Sequence, residues 1–375
     1  MLPYGRPCLD ESDAAAAAAA VRSEWLSAGP TVRRFETALA DFVGGGVGCV
    51  SVSSGTAALH AAYAAAGLRP GDEVLTTPMT FVATAATAAL HGARVVFADV
   101  EDDTGNLDPV AVRAAVTTRT RVVTAVDYAG HPAEYEQLRK VAADAGALLV
   151  DDAAHSIGST YRGAPVGTLA DLTTFSFFPT KNLTTGEGGA VVGTDQELVD
   201  RVRRFASHGM VRDPARLRYP DEGGWHQEVH SLGLNYRLSD VLCGLGLNQL
   251  TRLPRFTADR GRLAARYHEL LADVPGLRLP ARRPWTDPAW HLYPVRVLDG
   301  RRREVYERMR AAGIGVQVNY LPVYRHPVFE DLGYRRGQCP TAETFYAEQL
   351  SLPIYPQLAE ADQDRVVATL RTILR

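Results

Sequence analysis

Between residues 47 and 210 the chain changes its hydrophobic period again and again, and that alternation limits the folds open to it. Short apolar or β-branched runs at 47–52, 73–76, 94–99, 121–126, 147–151, 172–178 and 189–193 read as strands. Helical patterns at 57–66, 81–90, 110–116, 135–145 and 196–206 fill several of the gaps. Strands alternating with helices predict a largely parallel sheet covered on both faces, with ligands at the carboxyl ends of its strands. The last two strands have no helix between them, so the sheet should be mixed. Ahead of this region lie two helical stretches. The first is an alanine-rich run at 14–20 that Ser12 or Asp13 would cap, and the second starts near Val32. Composition shifts after Leu250: prolines and arginines cluster at 280–285, a strand is predicted at 290–297 and a helix at 303–312. The expected division is a large unit over 1–250 and a smaller one over 251–375.

Several function classes are disfavoured. The net charge is −3 and the arginines are interspersed with acids, so neither nucleic acid nor an anionic membrane is attracted in bulk. No apolar stretch approaches the roughly 20 residues needed to span a bilayer. Asp10, Glu11 and Asp13 precede the alanine run where a targeting signal would carry positive charge. Cys8, Cys49, Cys243 and Cys339 are far apart, which suggests neither a metal site nor a disulfide framework and fits a reducing, cytoplasmic setting.

Against this background one basic residue stands out. Of 40 lysines and arginines, only Lys140 and Lys181 are lysine. Arginine stays protonated, whereas a desolvated lysine can lose its proton and attack a carbonyl as a Schiff-base-forming amine. Lys140 lies in an amphipathic, solvated pattern. Lys181 follows an apolar strand end and Pro179 and precedes a loop containing Gly186, Gly188 and Gly189. A lysine after a strand is often just a surface charge, so its neighbours must decide.

Other strand ends carry compatible groups. Ser53-Ser-Gly-Thr56 feeds a helix, and such a turn either cradles a phosphate on free N–H groups or simply caps the helix. Asp152 ends an apolar strand, where it needs a cation: a protonated pyridine nitrogen or a structural arginine. His155 follows as a ligand contact or a bonded core histidine. Phe81 could stack on a flat ligand or belong to the core. Ser176, on the strand before Lys181, could reach the same anion as Thr56. Together these groups meet the needs of pyridoxal 5'-phosphate (PLP).

The order of motifs resembles the DegT/DnrJ/StrS family of PLP-dependent sugar aminotransferases. It is carried by Tyr4-Gly-Arg-Pro, Ser54-Gly-Thr-Ala-Ala-Leu-His60, Gly71-Asp-Glu-Val, Thr80-Phe-Val-Ala-Thr84, Phe175-Ser-Phe, Lys181-Asn-Leu-Thr-Thr-Gly-Glu-Gly-Gly189, Gly233-Leu-Asn-Tyr-Arg-Leu-Ser-Asp240 and Leu352-Pro. The resemblance implies a type I PLP-transferase α/β fold, with a mostly parallel mixed seven-stranded sheet, helices on both faces and a smaller C-terminal α/β domain. It further implies that Lys181 carries the cofactor and Asp152 pairs with the pyridine nitrogen. Phe81 would stack on the ring, Gly55, Thr56 and Ser176 would hold the phosphate, and His155 would stand beside the ring hydroxyl. Asn235 would reach the phosphate of a second subunit, making a homodimer with shared sites.

His155, Asp127-Tyr-Ala-Gly and Asn319-Tyr320-Leu-Pro-Val are similar to the subgroup acting at C4 of nucleotide-linked 4-keto-6-deoxyhexoses, although Asn319 departs from the His-Tyr pattern common there. The implied reaction moves an amino group from an amino acid, with glutamate the expected donor, through pyridoxamine 5'-phosphate to a nucleotide-linked keto sugar. Arg237, His208 and Tyr320 are candidates for substrate contact, Arg237 alternatively for an interface salt bridge. The rival readings are an aminotransferase or dehydratase acting on a cyclitol or other keto substrate, and a non-catalytic sensor. Sugar 3-dehydratases of this scaffold have histidine in place of the lysine, so Lys181 argues against that version.

Overall fold

The structure, a computed structural model, describes all 375 residues. Seven strands form the main sheet: β1 (Gly48–Val52), β2 (Glu73–Thr76), β3 (Arg94–Phe97), β4 (Thr120–Val126), β5 (Leu148–Asp152), β6 (Leu172–Ser176) and β7 (Gly189–Gly193), in the order β1-β7-β6-β5-β4-β2-β3. Strands β2 to β6 pair in parallel, and β7 runs antiparallel to both β6 and β1. The mixed sheet expected from the missing crossover helix is therefore present. These strands read as almost unbroken apolar runs because both faces are covered. Val122 and Val150 face one apolar layer with the alanine-rich helices α3 (Gly55–Ala65) and α4 (Ala83–Leu90). Val123 and Leu149, one residue along each strand, face Leu138 and Val141 of the helix Tyr135–Asp144 on the other side. Small alanine side chains let the backbones of α3 and α4 lie close to the sheet.

Two local expectations change. The N-terminal helix Glu11–Val21 is capped by Asp10, not by Ser12 or Asp13: Asp10 accepts the Ser12 N–H at 2.9 Å, and Asp13 reaches back to the Asp10 N–H at 3.0 Å. This reciprocal box satisfies two end donors at once. Helix α4 starts at Ala83, so Phe81 stands in the turn before it.

A helix of 32 residues, Asp240–Leu271, crosses the position near residue 250 where the composition shifts. It runs through Pro254 and three glycines, of which Gly244 and Gly246 mark close helix crossings. A Cβ at Gly246 would stand 2.8 Å from the Phe35 ring, and one at Gly244 would stand 3.1 Å from the Ala20 Cβ. Beyond it, a small sheet (Leu277–Arg278, Tyr293–Val297 and Gln349–Leu352) packs with the helices Arg302–Ala311 and Glu360–Leu374. The first residues return to this part: the Leu2 N–H donates to Gly313 O at 2.8 Å and the Ile354 N–H to Tyr4 O at 3.1 Å.

Candidate active site

The carboxyl ends of the central strands open into a cavity of about 410 Å³. Gly55, Thr56, Phe81, Asp152, His155, Ser176, Lys181 and Tyr320 all line it. Eight residues singled out from separate parts of the sequence thus share one space. Asn235, Arg237 and His208 do not line the cavity of their own chain. Asn235 is exposed beside Ser207, and Arg237 borders a separate arginine-rich hollow of about 310 Å³.

Asp152 ends β5, the middle strand of the sheet, and alternation along the strand turns Asp151 to the opposite face. The Asp152 carboxylate accepts the Thr84 hydroxyl at 2.6 Å on one oxygen and the Ala154 N–H at 3.2 Å on the other. Burial raises its pKa, opposed by the Thr84 bond and the charge of Lys181. The Ala154 N–H can only donate, which favours the ionised form, and the Thr84 hydroxyl is free to donate as well. Thr84 reaches it from the first turn of α4 and is braced by Thr80, whose hydroxyl lies 2.7 Å away.

Lys181 sits in the bend after β6, its N–H bonded to Phe178 O at 2.9 Å. The side chain is partly accessible, but only to the cavity, and protein surrounds it. That burial pulls its pKa from 10.5 to about 8, against the opposing pull of Asp152. The loop behind it is shaped by glycine. Gly186 has φ +83°, and a Cβ at Gly189 would lie 2.6 Å from Ser54 O and 2.7 Å from Phe175 O, so only glycine lets β7 pass this closely.

At the start of α3, Ser54 caps the helix by accepting the Ala57 N–H at 3.0 Å, while the N–H groups of Gly55 and Thr56 have no partner in the chain. A Cβ on Gly55 would fall 2.8 Å from the Ser176 Cβ, so the glycine brings the helix end against that serine. The result is a cradle of free N–H groups and a hydroxyl at a positive helix end. Phe81 is 57% exposed, which excludes the core reading, and its ring meets Tyr320 edge-on at 6.0 Å. His155 Nε2 lies 3.1 Å from the Tyr320 hydroxyl, and its Nδ1 is buried without a partner. Burial, then Lys181, pushes the His155 imidazole well below its usual pKa, so it is neutral.

The comparisons with known proteins can now be set beside this geometry. Residues 7–371 match the model of the DegT/DnrJ/EryC1/StrS aminotransferase family. The chain belongs to this family. It is 39% identical over all of its length, and 97% of the other protein's, to the spore coat polysaccharide biosynthesis protein SpsC of Bacillus subtilis. It is 37% identical, over 100% of its length and 98% of the relative, to a UDP-4-amino-4,6-dideoxy-N-acetyl-beta-L-altrosamine transaminase of Campylobacter jejuni. Among solved structures it resembles Helicobacter pylori PseC, an aminotransferase of pseudoaminic acid biosynthesis, at 31% identity and a TM-score of 0.92 over 100% of this chain and 99% of that one. The fold is that of type I PLP aminotransferases, and the chain is a PLP-dependent sugar aminotransferase. The residues present fit that cofactor. A lysine with a depressed pKa, a doubly bonded carboxylate, a helix-end cradle and an unpartnered buried imidazole nitrogen meet in one enclosed space.

The sequence reading missed three lining or supporting residues. Thr84 was quoted only within a motif, although a hydroxyl at the first turn of α4 is a natural donor to Asp152. Tyr4, from the N-terminal strap, lines the cavity. His291 also lines it and packs against His155 with ring centroids 4.4 Å apart and the ring planes tilted by 34°.

Proposed function

We propose that this aminotransferase moves an amino group from an amino acid, with glutamate the expected donor, to a nucleotide-linked 4-keto-6-deoxyhexose. The observation that carries the chemistry is the pairing, in one cavity, of a lysine near pKa 8 with an ionised aspartate. PLP bound there supplies an aldehyde that condenses with amines and a ring that withdraws electrons from the nitrogen-bearing carbon.

The roles of the chain's own residues follow from their chemistry. Lys181 would hold the cofactor through its side-chain amine, and its Nζ, when free, would be the base that takes the proton from the donor carbon and returns it. A lysine poised near 8 serves both directions at neutral pH. Asp152, held by Thr84 and Ala154, keeps a proton on the ring nitrogen. Gly55, Thr56 and Ser176 hold the phosphate, Phe81 covers one ring face, and neutral His155 stands by the ring hydroxyl with Tyr320 behind it. Asn235 and Arg237, absent from their own cavity, would complete that of a second copy, which supports a homodimer with shared sites. The C4 assignment draws on His155 and on the printed activity of the Campylobacter relative. His208 stays a candidate at the substrate mouth in the dimer.

The test is borohydride reduction of the holoenzyme followed by peptide mapping. A pyridoxyl adduct on Lys181 is expected, and one on Lys140 refutes the site. In separate, unreduced holoenzyme, glutamate should bleach the visible cofactor band and a nucleotide-linked 4-keto-6-deoxyhexose restore it. Restoration only by a non-nucleotide ketone would refute the substrate.

A further inference from the structure

We propose that His291 is a substrate-contacting residue whose Nε2 edge bonds an oxygen of the keto sugar acceptor beside Lys181; this rests on the reaction proposed above. His291 lines the cavity with Lys181 and is otherwise buried, at 7% exposure. Neither ring nitrogen has a partner in the chain. Nδ1 is sealed inside the protein, so Nε2 is the nitrogen at the cavity wall. Burial first, then His155, Lys181 and Arg260, push the imidazole well below its usual pKa, so it is neutral and offers one N–H or one lone pair. Burying such a ring without hydrogen bonds costs free energy that a phenylalanine in the same space would not.

The fold also constrains this segment heavily. The guanidinium of Arg260, itself buried, donates to Trp290 O and His291 O at 3.2 Å and to Ile354 O at 3.1 Å. Asn182, the neighbour of Lys181, donates to Ala289 O at 3.1 Å, and the Ala289 N–H donates to Ser159 Oγ at 2.9 Å. Trp290 adopts φ +46°, a strained region for a bulky side chain. A Cβ on Gly130 would stand 3.0 Å from Trp290 N and 3.1 Å from His291 N, so glycine is what admits the segment. A buried arginine, a strained tryptophan and a tie to the lysine loop all fix the backbone of one histidine whose ring bonds nothing in its own chain. Its missing partner must come from the cavity. Within one chain the groups that fit the cofactor lie on the strand and helix ends and the Lys181 loop up to residue 181, whereas His291 enters from the C-terminal part, on the substrate side, and the two half-reactions distinguish the sugar from the amino acid donor.

The experiment uses holoenzyme of His291→Phe, which keeps the ring packing and removes both nitrogens, and of His291→Gln, which keeps a hydrogen-bonding group. Each half-reaction is followed by single-turnover absorbance, with glutamate as donor and a nucleotide-linked 4-keto-6-deoxyhexose as acceptor. Thermal melting monitors folding. For His291→Phe the acceptor half-reaction should lose about 10- to 100-fold in kcat/KM, mostly through KM. The glutamate half-reaction should stay within about twofold and His291→Gln should recover most of the loss. An unchanged acceptor half-reaction in His291→Phe, an equal fall in both halves, or loss of bound cofactor would overturn the assignment. Failure of the unsubstituted enzyme in either half-reaction would instead sink the proposed function.

Discussion

The pKa of Lys181 is the quantity on which the proposed chemistry turns, and the chain allows it to be measured directly. With the pKa near 8, about one Lys181 in ten is neutral at pH 7; at an ordinary value of 10.5 it would be about one in three thousand. Burial is therefore worth about 300-fold in reactive amine at that pH. Because the only other lysine, Lys140, lies on an exposed helix face, amine labelling of the apoprotein gives two lysine signals, separable by peptide mass from each other and from the α-amino group. Pulse labelling with a small acylating reagent from pH 6 to 11 should give a Lys181 rate with its midpoint about pH 8. The sign of a second effect can be fixed too. Asp152 raises the Lys181 pKa by favouring its charged form, so Asp152→Asn should move the midpoint down. A Lys181 midpoint above pH 10, or an upward shift in Asp152→Asn, would refute the account of a desolvated lysine balanced by one carboxylate.

Three further outcomes follow from particular contacts. Asp127 is fully buried, which raises its carboxyl to about 6, and one of its oxygens has no partner. The native state therefore holds this proton more tightly than the unfolded chain, and the resulting stability, complete below about pH 4, is lost as pH rises through 6. Urea unfolding should show Asp127→Asn gaining on the unsubstituted protein across that window by about 3 kcal/mol, and a flat difference would contradict it. Thr84→Val removes the 2.6 Å bond to Asp152 and should lower kcat/KM by about 10- to 100-fold, with Thr84→Ser close to normal; steady-state kinetics decides. If Asn235 serves a second copy, mixing inactive Lys181→Ala and Asn235→Ala proteins under subunit exchange should restore about a quarter of the activity, from hybrids with one intact site. No recovery, with hybrids seen by native mass spectrometry, would place Asn235 elsewhere.

Much of this architecture was legible because it depends on local patterns. The parallel strands announce themselves as apolar runs, and Lys181 stands out against a chain that otherwise uses arginine. What escaped depended on contacts distant in sequence. Gly244 and Gly246 of Asp240–Leu271 signal no close crossing until Phe35 and Ala20 are found against them. Phe81 reads as the first residue of a helix, and only the turn before Ala83 shows it facing the cavity. His291 is a polar residue in a largely apolar stretch expected to be a strand from 290; the strand starts at Tyr293, because the backbone turns at Trp290 itself, two residues past Pro288. The ties that fix that turn come from residues 130, 159, 182 and 260, which no window of sequence brings together.

The charges around the cavity explain why those distant ties matter. Asp152 accepts two hydrogen bonds and is ionised, and Lys181, with its pKa near 8, is mostly protonated at pH 7 with about a tenth of it neutral. The rings of His155 and His291 are held neutral by burial, and burial raises the phenol pKa of Tyr4 and Tyr320 above its usual value. The inner wall thus carries the buried carboxylate of Asp152 and the titrating amine of Lys181, with the exposed Glu187 as a second acid of the lining. A ring that gains a proton at its nitrogen is favoured at Asp152, while the phosphate is left to the N–H cradle of α3 at the other end. Were either histidine charged, it would compete with the ring nitrogen for the buried Asp152 carboxylate and drive the Lys181 pKa lower still, out of the range where one amine can both take and return a proton. Holding both imidazoles dry is therefore part of how the fold keeps Lys181 and Asp152 as the working charges.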